Sequence, residues 1–288
     1  MEYHDLIDKA EAFALQSSKK SGVLPNLFVF RRSEPSGFEA TIYNPVICLI
    51  LQGSKTLQVG GDSLSISAGD ALLVSHDLPV ASQITQATRE KPYLALILSL
   101  DLSVLRSLYE HVDLRSDQGT KHALMTMRAT SIWVEPLARY LNLASDPLAA
   151  NVLGPSLLRE IHFRLLTSPA GGMLRNLLSM DSHASRIAKA IQEIRLHYRD
   201  QIAVSHLARI SGMSVSSFHE HFKSVTGTSP LQYQKDLRMI EARRLLSENR
   251  LSVTAAGFEV GYESPTQFSR EFSRKFGEPP SRVAAPAQ

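Results

Sequence analysis

Polar side chains share one helix face in a segment near the end of the chain. Thr266, Gln267, Arg270 and Arg274 fall on the side of a helix away from its phenylalanines. An arginine guanidinium can grip a guanine edge or a phosphate through paired hydrogen bonds, and a glutamine amide can pair with adenine. Because an isolated exposed arginine is usually only a solvated charge, it is the combination of side chains that indicates a face able to read DNA bases.

A second segment, about fifty residues earlier, offers a similar polar face. Phe218, Phe222 and Val225 follow helical spacing and must face a core, which leaves the polar side chains outward. A serine at the start of each helix can cap it, since its hydroxyl accepts a backbone N–H of the first turn. The candidate DNA-contacting residues are Ser214, Ser216, Ser217, His219 and Lys223 in this segment and Ser264, Thr266, Gln267, Arg270 and Arg274 in the other.

Both faces belong to a repeated pattern of a short helix, a glycine turn and a second helix. The turns lie at Gly212 and Gly261, and both copies end in a Gly-x-x-Pro sequence. A long helix over residues 231–247 separates the copies. The pattern predicts two helix-turn-helix units held apart by a connecting helix, whose Arg238, Arg243 and Arg244 are available to water or phosphate.

The two units are predicted to be unequal. The second has Ser264, Pro265 and Gln267 at the spacing of a capping box, which favours a well-defined helix start. It also has Gly257 inside its first helix, where glycine should cost about 1 kcal/mol relative to alanine. We therefore expect the first helix of the second unit to be less stable.

The N-terminal part shows the pattern of short strands. Leu6, Ala10 and Phe13 are spaced for one helix, after which eight short apolar runs between residues 28 and 98 alternate with turn residues. Gly60-Gly61 predicts a hairpin with positive φ at both central residues. Eight short strands in about seventy residues favour a closed antiparallel barrel.

The barrel lacks the residues of a metal enzyme. A catalytic metal needs three or four converging ligands, whereas the predicted barrel contains one histidine, His76, interpreted as a hydrogen-bonded loop residue. Cys48 is the only cysteine, so no internal disulfide can form. It could contact or sense a small molecule, but its apolar strand favours a buried core residue. We predict no metal, no cofactor and no catalytic residue.

Residues 101–172 are predicted to be helical. A strong helix is expected to start near Pro155. The sequence from Thr167 to Gly172 is expected to end this helix and to act as a hinge. The apolar face of this helix could pack on the barrel or pair two subunits.

Composition and charge are those of a globular protein. Hydrophobic residues make up 43% and charged residues 20%, and the longest apolar run, Val46 to Leu51, is too short to cross a membrane. With no leader pattern at the N-terminus, a cytoplasmic protein without a membrane partner is expected. The net charge of +3 is uneven: residues 181–288 contain 15 Lys and Arg against 11 Asp and Glu. The basic excess lies with the helix-turn-helix units but is modest.

The second unit closely resembles the signature of AraC/XylS-type transcription regulators. The resemblance rests on Val260 to Ser264, Gln267 to Phe272 and Phe276-Gly277. More loosely, Ile47 to Pro79 resembles the cupin-like effector domain of such proteins, and Arg159 to Leu166 resembles a subunit-pairing helix. The resemblance implies a jelly roll with a small-molecule pocket, a homodimer, double-stranded DNA as partner and, for an activator, RNA polymerase.

The expected fold class is α+β, with an N-terminal antiparallel cupin-like barrel and an all-α domain with two helix-turn-helix units. The expected domains are an effector-binding barrel over 1–100, a dimerisation and hinge region over 101–172, and a DNA-binding domain over 173–288. The favoured function is sequence-specific transcription regulation modulated by a small molecule. The alternatives are a cupin enzyme with an accessory DNA-binding domain and a partner-binding adaptor.

Overall fold

The computed structural model describes residues 3–17, 24–112, 122–180, 182–248 and 251–284. Within them, nine strands form two antiparallel sheets, ordered β1-β8-β3-β6-β9 and β2-β7-β4-β5. The strands are β1 Leu27–Arg32, β2 Glu39–Tyr43, β3 Val46–Gln52, β4 Ser54–Val59, β5 Asp62–Ser67, β6 Asp70–Val74, β7 Leu78–Gln86, β8 Tyr93–Ser99 and β9 Leu124–Arg128. The predicted α+β fold, with an antiparallel N-terminal β part and a helical C-terminal part, is confirmed, and the β part consists of two sheets.

All eight predicted strands are present, and the Gly60-Gly61 hairpin joins β4 and β5 through the pair Val59 and Asp62. Only Gly60 has a positive φ, of 61°. The prediction of positive φ at both glycines was therefore wrong, because the turn follows the pattern that needs glycine only at its first central residue. β3 is buried on both faces, which explains its uninterrupted apolar sequence.

Five helices cover the face of the five-stranded sheet that points away from the other sheet. They are α1 Tyr3–Ser17, α2 Leu102–Tyr109, α3 Ser131–Asn142, α4 Pro147–Thr167 and α5 Gly172–Leu178. Helix α4 begins at Pro147, with the Asp146 carboxylate accepting the Ala149 N–H, so the predicted start near Pro155 was wrong. Residues 101–172 are also not wholly helical, because β9 pairs with β6 at the edge of the sheet.

The predicted hinge between Thr167 and Gly172 is a tightly packed corner. Ala170, Gly171 and Gly172 are buried, and a Cβ on Gly171 would lie 2.2 Å from the Leu166 carbonyl oxygen. The Arg175 guanidinium donates to the same carbonyl at 2.7 Å. A hinge needs a backbone with room to move, and these contacts leave none.

The C-terminal helices form the two predicted helix-turn-helix units. They are α6 His183–Leu196, α7 Val204–Ile210, α8 Val215–Thr226, α9 Pro230–Ser247, α10 Val253–Glu259, α11 Pro265–Phe276 and α12 Pro280–Val283. Unit 1 is α7 with α8, unit 2 is α10 with α11, and α9 connects them. In each unit two phenylalanines four residues apart pack inward, with ring centroids 5.5 Å apart in unit 1 and 5.7 Å apart in unit 2.

The units differ in how they are joined to the barrel. The core of unit 1, including Phe218 and Phe222, is continuous with the cluster between the two sheets, which includes Cys48 and Leu57. Unit 2 has a separate core around Phe268 and Phe272. Unit 1 is thus built onto the barrel. In the described part of the chain, no helix is both long and apolar enough to span a membrane.

Candidate nucleic-acid interface and barrel cavity

Helix α8 presents a polar face at its beginning. The Ser214 hydroxyl caps the helix by accepting the Ser217 N–H at 3.3 Å. Val215, Ser216, His219, Glu220 and Lys223 are exposed on one side, as expected from the inward phenylalanines. The Ser217 side chain is half-buried and lies off this face. Of the predicted contacts on the helix, Ser216, His219 and Lys223 are therefore the best placed to reach a ligand.

Helix α11 presents the more basic face. Thr266, Gln267, Arg270 and Arg274 are exposed, and Arg270 and Arg274 form no ion pair within the described residues. Ser264 caps the helix by accepting the Gln267 N–H at 3.3 Å. A shallow open groove runs along the helix, lined by Pro265, Thr266, Ser269, Arg270 and Ser273.

Only half of the predicted capping box forms. The Gln267 side chain donates to the Glu271 carboxylate at 3.2 Å, one turn further along the helix, instead of returning to the Ser264 N–H. Glu271 also accepts the Tyr262 hydroxyl at 2.7 Å and pairs with Lys235 at 3.2 Å. These donors outweigh the effect of burial and lower the pKa of Glu271. Gln267 is therefore held by a carboxylate that also ties α11 to α9.

Gly257 permits close packing inside unit 2. It is buried, and a Cβ on it would lie 3.1 Å from two ring carbons of Phe268. Gly257 lowers the intrinsic stability of helix α10, but it also lets α10 approach α11 more closely. The expectation that Gly257 only softens the unit left out this contact.

Arg238 joins unit 2 to the loop that precedes unit 1, a role that the sequence did not reveal. Its guanidinium donates to four backbone carbonyls: Tyr198 at 2.6 Å, Arg199 at 2.9 Å, Asp200 at 3.0 Å and Gly261 at 3.0 Å. The first three belong to the loop after α6, and the fourth is the turn of unit 2. The interpretation of Arg238 as a side chain available to phosphate was wrong, because these carbonyls occupy it.

The other two arginines of α9 are also engaged. Arg243 pairs with Glu278 at 3.5 Å. Arg244 pairs with Glu241 at 2.6 Å and with Glu248 at 2.8 Å. Helix α9 is therefore a scaffold for the two units, whereas Arg270 and Arg274 of α11 form no ion pair within the described residues.

The barrel encloses a cavity of about 450 Å³ between its two sheets. It is lined by Ile42 and Tyr43 of β2, Cys48 of β3, Lys55 of β4 and Tyr93 of β8, among others. Cys48 is buried, as its apolar strand predicted, yet it contributes to the cavity wall. Lys55 was not among the predicted site residues, although it stands two residues before the inward Leu57, and strand alternation places it inside.

The ammonium of Lys55 is held among polar atoms. It donates to the Tyr43 hydroxyl at 3.2 Å and lies 3.8 Å from the Cys48 sulfur. Burial acts to lower its pKa, but Cys48, Tyr43 and Tyr93 favour the charged form and leave the pKa above its usual value. The cavity therefore contains a buried amine whose polar neighbours favour its charged form.

Several hydrogen bonds tie the barrel to unit 1 and its neighbouring helices. The Tyr233 hydroxyl of α9 donates to the Asp77 carbonyl at 2.6 Å, and Arg195 of α6 pairs with the Asp77 carboxylate. The Ala123 N–H donates to Val225 at the end of α8 at 3.0 Å. His76 is the hydrogen-bonded loop histidine that was expected, but its Nε2 bonds across the domains to the Ala184 carbonyl at 3.0 Å.

The described residues contain no group of three or more His, Cys, Asp or Glu side chains that could hold a metal ion.

A sequence-family model for the N-terminus of AraC-type transcriptional regulators matches residues 23–173, and a helix-turn-helix domain model matches 207–285. The chain belongs to the AraC-type transcriptional regulators. It is a DNA-binding protein of this family.

The chain is similar over most of its length to two transcription regulators and to one solved structure. The regulator ExsA of Pseudomonas aeruginosa is 26% identical over 243 residues, which cover 82% of this chain and 84% of ExsA. The activator VirF of Yersinia enterocolitica is 22% identical over 242 residues, which cover 82% of this chain and 87% of VirF. The structure of fatty-acid-bound ToxT from Vibrio cholerae superposes with a TM-score of 0.59 at 13% sequence identity. The superposition covers 90% of this chain and 93% of the ToxT chain. This likeness confirms the fold over most of the chain.

Proposed function

We propose that this regulator binds a bipartite DNA site through α8 and α11, with the second helix providing most of the specificity. The supporting observation is the difference between the two exposed faces. The α11 face contains Arg270 and Arg274 without internal ion pairs among the described residues, whereas the α8 face combines Ser216, His219 and Lys223 with the acidic Glu220. Arginines can read guanine in the major groove, while serines and lysine mainly hold phosphates.

Replacing Arg270 with alanine tests this assignment. If Arg270 reads a base, specific binding should weaken by about 1 to 3 kcal/mol and discrimination at one base pair should relax. If it holds a phosphate, binding should weaken on all sequences and the salt dependence should become shallower. Titrations of labelled DNA at several salt concentrations distinguish these results. Arg244→Ala is the matched control, because Arg244 is exposed but paired with two glutamates, and an equal loss in the control would remove Arg270 from the interface.

We further propose that a small molecule in the barrel cavity modulates DNA binding. Strand β2 lines the cavity and also contacts α9, and Ala40 lines both the cavity and the crevice between the barrel and α9. A ligand that displaces β2 would therefore move the helix that positions both units. The fatty acid bound to ToxT, which has the same fold, supports a small-molecule site. Binding of a ligand in the cavity should change the affinity of the full chain for DNA, and an unchanged affinity would argue against this coupling.

We also propose that α4 pairs two subunits, through an exposed side of the helix instead of its predicted apolar face. Ile161, Leu165 and Leu166 are buried within the chain's own core. Leu148, Val152 and Phe163 instead lie along one exposed side of α4, with Leu148 74% and Val152 63% exposed. An exposed apolar stripe on a helix is typical of a protein–protein contact surface. Val152→Glu should convert a dimer into a monomer in analytical ultracentrifugation, whereas Asn151→Glu, at an exposed polar position next to it, should not.

A further inference from the structure

The positive charge in the barrel cavity has no carboxylate partner among the described residues. The Lys55 side chain is deeply buried, with the residue only 6% exposed. Its hydrogen-bonding neighbours are a phenol and a thiol, Tyr43 and Cys48, which carry no charge when protonated. Burying an ammonium without an anion is strongly unfavourable. This arrangement is explained if an anion from outside the chain completes it.

The one carboxylate that lines the cavity among the described residues is engaged elsewhere. Glu39 of β2 pairs with Arg32 of β1 at 2.6 Å, and its side chain is 52% exposed. It therefore does not neutralise Lys55.

A second polar group in the cavity has an unused hydrogen-bonding capacity. The Tyr93 residue is 2% exposed, and its hydroxyl has no hydrogen-bond partner of ordinary geometry among the described residues, although it interacts electrostatically with Lys55. A buried hydroxyl normally has a partner. Tyr93 can donate one hydrogen bond to an anion that also contacts the ammonium.

The rest of the wall is mainly apolar. Its side chains include Ile42, Val46, Ile84, Ala95 and Ile97. A cavity of about 450 Å³ with such walls and one charged end has the size and composition of a small-ligand site. Since the cavity offers one ammonium, a ligand with one negative charge is balanced, whereas a dianion would leave one charge buried without a partner.

We propose that the effector is a small monocarboxylate with an apolar body. One carboxylate oxygen accepts from the Lys55 ammonium, another from the Tyr93 hydroxyl, and the apolar body lies against the isoleucines. This inference rests on the proposed function of the barrel as the sensor, and it adds the chemical class of the effector.

Calorimetric titration of the full chain with matched ligands tests the charge requirement. Octanoate and phenylacetate are compared with octanamide and phenylacetamide, which have the same shape without the charge. We expect at least one acid to bind at least about tenfold more tightly than its amide, because a charge-assisted hydrogen bond in a buried site is lost in the amide. Lys55→Met should abolish this preference, whereas Lys91→Met, at an exposed lysine before β8, should preserve it.

Tyr93→Phe provides a second variant, because it removes only the unpaired hydroxyl and should fold even if Lys55→Met does not. It should weaken acid binding severalfold and leave amide binding unchanged. Equal binding of acids and amides, no binding of either, or acid binding that survives Lys55→Met would overturn the proposal. DNA binding measured on the same samples separates the two hypotheses, since its persistence in any of these cases would leave the DNA-binding function standing.

Discussion

Two turn glycines occupy equivalent places in the two units but differ in their surroundings. Gly212 has a φ of 61° with no atom within 4 Å of where its Cβ would be. Gly261 has a φ of 86°, and a Cβ there would lie 2.0 Å from the Arg199 carbonyl oxygen. Both positions need a left-handed backbone, but only Gly261 also needs the absence of a side chain. The two copies of the motif therefore place different requirements on their turn glycines.

Alanine substitutions should separate these constraints. Gly212→Ala should lower the free energy of unfolding by about 1 to 2 kcal/mol, the cost of a left-handed conformation. Gly261→Ala adds a clash with a backbone atom that Arg238 holds in place, so its loss should be larger by at least about 2 kcal/mol. Urea unfolding of both variants measures the difference. Equal losses would show that the loop containing Arg199 moves aside without cost.

At the scale of helices, α9 fixes how far apart and at what angle the two recognition helices stand. Arg238 joins the loop after α6 to the turn of unit 2, and Gln234 donates to the Tyr198 and Asp200 carbonyls of the same loop at 2.9 and 2.6 Å. A bipartite DNA site has one spacing that fits such a rigid pair. The preference for spacing should therefore depend on Arg238.

Arg238→Met keeps the length of the side chain but removes all four donations. We expect the affinity for a two-half-site DNA to fall and the optimum in half-site spacing to broaden, while binding to a single half-site changes little. Electrophoretic mobility shifts with DNA of stepwise altered spacing measure both effects. A sharp and unmoved optimum in this variant would show that packing of α9, rather than Arg238, sets the geometry.

The elements that the sequence predicted correctly are those with strong local signals. The eight strands alternate with turn residues, and the two units have capped helices and paired phenylalanines. Strand β9 was missed because its sequence, Leu-Met-Thr-Met-Arg, is short and pairs with β6 fifty residues earlier. Arg238 was misinterpreted for a related reason: helical spacing shows which side a residue faces, but the carbonyls that it binds come from distant loops. Lys55 could have been found, since strand alternation alone places it inside the barrel.

At the scale of the whole molecule, the barrel and unit 1 share one core while unit 2 has its own. His76 lies at this junction and is 4% exposed. Its Nδ1 lies 2.8 Å from the Ser75 hydroxyl oxygen, which can donate to it, and its Nε2–H donates to the Ala184 carbonyl of α6. This pattern fits the neutral imidazole. Burial lowers the pKa of His76, although the bond to Ala184 and the nearby Asp77 act in the opposite direction.

The lowered pKa makes the junction between barrel and unit 1 sensitive to acid. When the pKa of a histidine is lower in the folded than in the unfolded state, the unfolded state binds more protons, so stability rises with pH. The contribution of His76 is complete above its unfolded pKa of about 6.5 and is lost as pH falls below that value. We therefore expect faster hydrogen exchange in α6 at pH 5.5 than at pH 7.5, beyond the intrinsic effect of pH.

Two substitutions show whether this acid sensitivity arises at the junction. His76→Gln can still donate to Ala184 but cannot gain a proton, so the pH-dependent part of α6 exchange should largely disappear. His162 is the matched control, because burial lowers its pKa too, but its ring bonds to the Asp101 N–H and to the Leu158 carbonyl of α4 instead of to α6. His162→Gln should reduce the acid sensitivity of global unfolding and leave that of α6 exchange intact. If His76→Gln exchanges like the wild-type protein at both pH values, protonation of His76 does not weaken the contact between sensor and reader.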